Sequence, residues 1–299
     1  MARVARLTVG FPAGSAPDVV ARLLAGHMKN YAPSILVDNK AGAGGRLPLE
    51  ALKGGERDGS LMVLTPSYQV TLFPHIYAKL GYDASRDFAP VSTVCTVQYL
   101  LTVGPLVPLE VKTVADFVSW CRANPTHADY GSPGEGTLPH FMGASFARAA
   151  GLDMTHVPYR GAPAIVQDML ASQVASTISV ISNVLPNVQS GGLRGLAIMS
   201  PKRTPFLPDV PTIREAGYPA AEGTEFFDLF VRANTPDHLV SALNAVVREA
   251  LRTDDFREGL ARQASEPAGC APAELARMLE ADTRRWAEVV EHTGFKSLD

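Results

Sequence analysis

Apolar positions in this chain follow two alternating rhythms. Val4 to Val9 is a short apolar, β-rich run of the kind that fills a buried strand. Apolar residues at 19, 20, 23, 24 and 28 then follow the i, i+3, i+4 spacing of one helix face. The alternation continues. Strands are expected at Ile35–Val37, Leu61–Thr65, His156–Pro158, Ser176–Ile181, Leu193–Met199 and Phe226–Val231, with helices between most of them. Val91 to Val103 is long enough for a single strand passing between domains, and Phe226–Val231 suits the return crossing. Thr113 and Asp116 have the spacing of a capping box that opens a helix through Phe117, Trp120 and Cys121. Pro208 to Thr212 is expected to cap a short helix ending at Gly217. Two amphipathic helices, opening at Pro236 and Pro272, complete the tail. Strands alternating with helices predict an α/β fold.

Composition narrows the class. A chain of 299 residues suggests about two domains, and 46% hydrophobic with 19% charged residues describes a globular protein. A formal charge of −3 and the lack of a Lys/Arg-rich run exclude nucleic acid as the expected partner. No apolar stretch reaches the length of a membrane span. Cys95, Cys121 and Cys270 lack the paired spacing of a zinc or redox site, and the seven histidines form no metal-binding motif. No metal or cofactor is expected.

Two turns carry the candidate chemistry. In the first, Phe11-Pro12-Ala13-Gly14-Ser15-Ala16-Pro17-Asp18 joins strand to helix. Gly14 permits a tight turn, Pro17 suits the first helical turn, and Asp18 complements the helix dipole. Backbone N–H groups pointing out of such a turn receive anions. In the second, Tyr130-Gly131-Ser132-Pro133-Gly134-Glu135-Gly136-Thr137 repeats the theme with hydroxyls and no lysine. Glu135 would repel an anion unless it turns to solvent. The glycine-rich stretch Gly42-Ala43-Gly44-Gly45 lacks both the GxxxxGK[ST] and GxGxxG patterns, so it reads as a tight turn onto a helix at Pro48–Lys53. Ser67, in a polar turn at a strand's carboxyl end, is a further candidate because ligands sit at such ends in open α/β sheets.

Taken in order, several segments resemble one family. They are Phe11-Pro12-Ala13-Gly14 with Asp18, Asn39 with Gly42–Gly45, and Tyr82-Asp83 with Asp87-Phe88-Ala89-Pro90-Val91. Tyr130–Gly134 with Gly136-Thr137 and His140, then His156–Ala162, and Leu207–Thr212 with Glu215–Pro219 complete the set. Together they resemble the Bug family, the extracytoplasmic solute receptors of tripartite tricarboxylate transporters. The resemblance implies a type II-like, two-lobed periplasmic binding protein fold, a Venus flytrap with the ligand cleft between lobes. Lobe one is expected at 1–100 plus 228–299 and lobe two at 101–227. It implies a periplasmic monomer that hands a small organic carboxylate to membrane permease subunits. A di- or tricarboxylate or an aromatic acid would suit it. The N-terminus enters the first strand directly, so the signal peptide that export implies is expected to be absent from this sequence.

Carried over residue by residue, the resemblance points to Phe11, Ala13, Gly14, Ser15 and Ala16 in lobe one, together with Ser67. In lobe two it points to Ser132, Gly136, Thr137 and Asn183. Two departures stand out. Ser15-Ala16-Pro17 replaces the family's common Gly-Gly-Thr, so Pro17 removes a donor and Ser15 adds a hydroxyl. Ile181-Ser182-Asn183 stands where relatives often carry an acid, which favours a second carboxylate or a neutral group over an ammonium. Two alternatives remain open. A receptor that signals to a sensor protein would use the same fold. A hydrolase would need GxSxG on a strand-to-helix elbow, and the nearest match, Gly143-Ala144-Ser145-Phe146-Ala147, lacks the last glycine and falls in a helical pattern. His140 reads as a structural residue.

Overall fold

The first apolar run becomes β1 (Ala5–Val9), in which Ala5, Leu7 and Val9 are wholly shielded from water. The helix after it, α1 (Ala16–Gly26), packs on that strand and buries Val20, Ala21 and Leu24. Each such leucine contributes about 1.5–3 kcal/mol of burial, so strand and helix hold the turn between them from both ends. The computed structural model describes residues 4–293 and Leu298.

The chain divides into two compact units, Met1–Thr96 with Glu225–Asp299, and Val97–Thr224. The first unit continues through β2 (Ile35–Asn39), α2 (Leu47–Lys53), β3 (Leu61–Pro66), α3 (Tyr68–Thr71), α4 (Phe73–Ile76), α5 (Ala84–Asp87) and β4 (Phe88–Val97). The second holds β5 (Tyr99–Val103), α6 (Val114–Ala123), β6 (Asp129–Ser132), α7 (Leu138–Ala150) and β7 (Thr155–Pro158). It is completed by α8 (Ala162–Leu170), β8 (Ser176–Val180), α9 (Ile181–Gln189) and β9 (Arg194–Ile198). Returning to the first unit, the chain forms β10 (Glu225–Arg232), α10 (Asp237–Ala250), α11 (Asp254–Arg262), β11 (Ser265–Pro267) and α12 (Pro272–Thr293).

Each unit is built on one sheet. The first runs β11-β4-β10-β3-β1-β2, with β1 parallel to both neighbours and β10 antiparallel to β3. The second runs β7-β6-β8-β5-β9, with β6 parallel to both neighbours and β5 antiparallel to β8 and β9. In each sheet, therefore, an inner parallel strand (β1 or β6) delivers its carboxyl end to a turn that opens a helix.

Four elements differ from the sequence expectation. The run from Val91 to Val103 is two strands separated at Gln98, whose side chain donates to Ser200 Oγ at 3.1 Å and whose carbonyl takes the Ile181 N–H. Ser182 and Asn183 lie in the first turn of α9 and not on the strand end. The stretch before Gly217 is a hydrogen-bonded turn in which Thr212 and Glu215 bond each other's N–H reciprocally, without extending into a helix. The polar helix α11, capped by Thr253, is an addition to the two tail helices. The glycine-rich loop has a packing role: a Cβ on Gly10 would run into the Gly45 carbonyl, and one on Gly45 into Gln69 Nε2 and the Phe11 ring, so both positions call for glycine.

Candidate functional site

The turn between β1 and α1 is held by a buried carboxylate. Gly14 adopts φ +80°, a conformation that disfavours side chains, and its N–H donates to Asp18 Oδ2 at 2.9 Å. Ser15 is the N-cap of α1, yet its hydroxyl donates to the Pro12 carbonyl at 2.6 Å and its N–H bonds the same oxygen at 3.2 Å. Asp18, 2% exposed, also receives Arg22 Nε at 3.1 Å and Asn39 Nδ2 at 2.9 Å. Asn39 donates in addition to the Phe11 carbonyl at 2.9 Å. Burial opposes ionisation of Asp18, but the bonds from Arg22, Gly14 and Asn39 outweigh it and hold its carboxyl below the usual range. The expectation of several outward-pointing N–H groups is therefore corrected. Those of Gly14 and Ser15 are engaged inside the turn, and Pro17 has none. Phe11 is buried with its ring against Gly45, Ala16 is buried, and Ala13 and Gly14 are exposed at the tip.

The turn between β6 and α7 is organised around one carbonyl. Gly134 O accepts the Ser132 hydroxyl at 2.9 Å, the Thr137 hydroxyl at 2.7 Å and the Thr137 N–H at 3.4 Å. Ser132 and Thr137 are both fully buried. Gly136, at φ +74°, donates its N–H to His140 Nδ1 at 3.0 Å. His140 stacks on His156 with ring centroids 3.7 Å apart and 9° between planes, and His156 Nε2 lies 2.7 Å from Ser132 Oγ. Every contact is satisfied when His156 Nε2–H donates to Ser132 and Ser132 donates to Gly134. Burial pushes His140 down to about 4, and burial with the neighbouring His140 pushes His156 down to about 3, so both rings are neutral at pH 7. The sequence suggests hydroxyls and bare N–H groups offered outward, whereas the loop spends them on itself. Glu135 does turn to solvent.

Ser67 follows the carboxyl end of β3 as expected, whereas Asn183 lies in α9 and not at a strand end. Ser67 is 6% exposed and donates its hydroxyl to Asp228 Oδ2 at 2.5 Å, while its N–H donates to Glu225 Oε1 at 2.8 Å. Its donors are taken by the chain's own carboxylates. Burial raises both acids, Asp228 to about 7. Asn183, half-buried in α9, donates to Ser179 Oγ at 3.2 Å. Phe11, Ala13, Gly14, Ser15 and Ala16 share one turn, and Ser132, Gly136 and Thr137 share the other. His156 and the Asp18–Asn39 pair are loop-organising residues beyond the candidate set. Ser145 lies inside α7, away from any strand-to-helix elbow.

The fold and these paired strand–turn–helix elements define the α/β class of periplasmic binding proteins. Within that class, the model of the tripartite tricarboxylate transporter family receptor matches residues 20–295, and the chain belongs to this family of solute-binding receptors. It is 30% identical to BugT of Bordetella pertussis over 99% of this chain and 90% of that protein. Among solved structures, an R. palustris protein with adipate is 30% identical, covers 99% of both chains and has a TM-score of 0.92. MatC from Rhodopseudomonas palustris with bound malate is 28% identical, covers 96% of this chain and 99% of that one, and has a TM-score of 0.88.

Proposed function

We propose that this chain is a non-enzymatic receptor that captures a small organic carboxylate, a di- or tricarboxylate or an aromatic acid, in the periplasm. It then delivers the ligand to the permease subunits of a tripartite tricarboxylate transporter. The observation that carries this reading is the similarity along the whole chain to two proteins solved with dicarboxylates, adipate and malate. Solved relatives include periplasmic transport proteins, which supports the compartment.

In this reading two strand-to-helix turns, one in each unit, serve carboxylate capture. Phe11, Ala13, Gly14, Ser15 and Ala16 form the first, and Ser132, Gly136 and Thr137 the second, with Asn183 at the ligand's far end. Asp18 and the Gly134 carbonyl give these turns their shape, so the bound carboxylate meets a backbone already ordered. Ligand binding favours the conformation that the membrane partner reads. No step of this function requires turnover.

A thermal-shift screen against malate, adipate, citrate, benzoate and the common amino acids tests the proposal. A ligand at 100 times its Kd adds about 2.7 kcal/mol to the folded state, so a micromolar binder raises Tm clearly at sub-millimolar concentration. The expected result is a rise with one carboxylate class and no consumption of the acid. A flat response to every carboxylate, or conversion of the acid to product, would overturn the reading.

A further inference from the structure

The Gly136–His140 contact has a chemical property that its partner in the first turn lacks. Asp18 accepts the Gly14 N–H through an oxygen that stays ionised at neutral pH. His140 accepts the Gly136 N–H through Nδ1, which can do so only while that nitrogen is unprotonated. We infer that His140 is a proton-linked positioning residue for the second turn: it holds the Gly136 N–H while neutral and releases it on taking up a proton. This inference rests on the carboxylate-receptor reading for its ligand. A carboxylate that takes the Gly136 N–H displaces His140 Nδ1. It leaves an imidazole lone pair beside a negative charge, an arrangement that favours the imidazolium.

The surroundings suit such a pair. His156 lies flat on His140 at 3.7 Å and is itself neutral, so it stacks without adding charge. Tyr130 of β6 donates its hydroxyl to the His140 carbonyl at 3.1 Å and lies 5.1 Å from the His156 ring. Tyr159, after β7, turns its hydroxyl to Asp168 of α8 at 2.9 Å. Glu135 and Arg160 are exposed on the adjoining loops. Within this unit burial thus keeps both rings neutral, and a bound anion would add a charge beside them.

The sign follows from linkage. Binding that raises the His140 midpoint from about 4 to its ordinary 6.5 takes up a proton, and affinity then increases about tenfold from pH 7.5 to 5.5. Two arms test this. In the ligand-free protein with 15N-labelled histidine, NMR is expected to show His140 with Nδ1 unprotonated at pH 7. The Gly136 amide signal should move with the His140 midpoint, well below 6.5. A protonated Nδ1 at pH 7, or a Gly136 amide indifferent to the His140 titration, overturns the inference whatever the ligand. In the second arm, calorimetry with malate and adipate in buffers of different ionisation heat is expected to show proton uptake at pH 6. The uptake should vanish in His140→Asn, whose amide oxygen accepts the N–H without titrating. Tight binding with no proton uptake overturns the inference and leaves the receptor reading intact. Failure of malate, adipate, citrate and benzoate alike to bind, with the expected spectra, counts against the receptor reading alone.

Discussion

The two turns have the same construction and opposite electrostatics. Both follow an inner parallel strand, both use a glycine at positive φ, and both open a helix of at least 11 residues. The first is pinned by an ionised carboxylate, Asp18, which collects donors from Gly14, Arg22 and Asn39. The second is pinned by a carbonyl and two neutral imidazoles. An acid that stays charged gives a turn whose shape is constant across the physiological range. An imidazole that accepts the Gly136 N–H gives one whose contact is lost if that ring takes up a proton. Two halves of one proposed binding function can therefore respond differently to the same change of pH.

The strongest way to break this comparison is to remove Asp18. Asp18→Ala removes the acceptor of the Gly14 N–H and one of the two acceptors of the Asn39 amide, and is expected to lower stability by about 2–3 kcal/mol in urea unfolding. Asp18→Asn, which keeps one acceptor, should lose less. Because the Asp18 midpoint is lowered, its contribution is complete above the unfolded value of about 3.9 and disappears as pH falls through the folded value. Between pH 5 and 8 the cost of Asp18→Ala should therefore be constant.

Asp228, in the first unit with Ser67, supplies a buried acid of the other kind. Its midpoint is raised to about 7, so the folded chain holds a proton there that the unfolded chain releases near 3.9. Stability from this group is present below about 3.9 and is lost as pH rises through 7. Asp228→Asn keeps an acceptor for the Ser67 hydroxyl and is expected to remove about 2 kcal/mol of the stability loss between pH 5 and 8. Equal pH dependence in the two proteins would show that Asp228 is ionised in the fold.

Smaller effects belong to the second turn. Thr137→Ala removes one of the donors on the Gly134 carbonyl and is expected to cost about 1 kcal/mol. It should weaken carboxylate binding by a similar amount, because the turn that presents Gly136 loosens. His140→Asn is expected to have its smallest effect at neutral pH and to change a slope. The folded His140 refuses protons that the unfolded chain accepts below about 6.5, so its contribution falls away as pH drops from 6.5 toward 4. Thermal melts of the variant should decline less over that interval than those of the parent.

Much of the scaffold was legible because burial and periodicity coincide in it. Val20 and Leu24 mark the inward face of α1, and the Thr113–Asp116 capping box is formed as its spacing predicts. Helix α11 was legible in principle, through the Thr253 cap and buried Phe256, Gly259 and Leu260, but its charged composition hides the apolar stripe. The division at Gln98 was not, because a continuous apolar run has no periodicity to show where one strand stops. The candidate site was legible only as turns. Whether a hydroxyl faces a ligand or the chain depends on partners distant in sequence, such as Asp228 for Ser67 and His156 for Ser132. Sequence spacing also could not show that His140 Nδ1 holds the Gly136 N–H, since that needs the backbone of the turn itself.

The most direct measurement is a titration of the 15N-labelled protein with malate, adipate and citrate, followed through its backbone amides. The account predicts that amides of residues 13–16 and 134–137 shift together, with a single Kd, for at least one of these acids. Shifts confined to one turn, or amides in both turns that ignore every carboxylate, would contradict it.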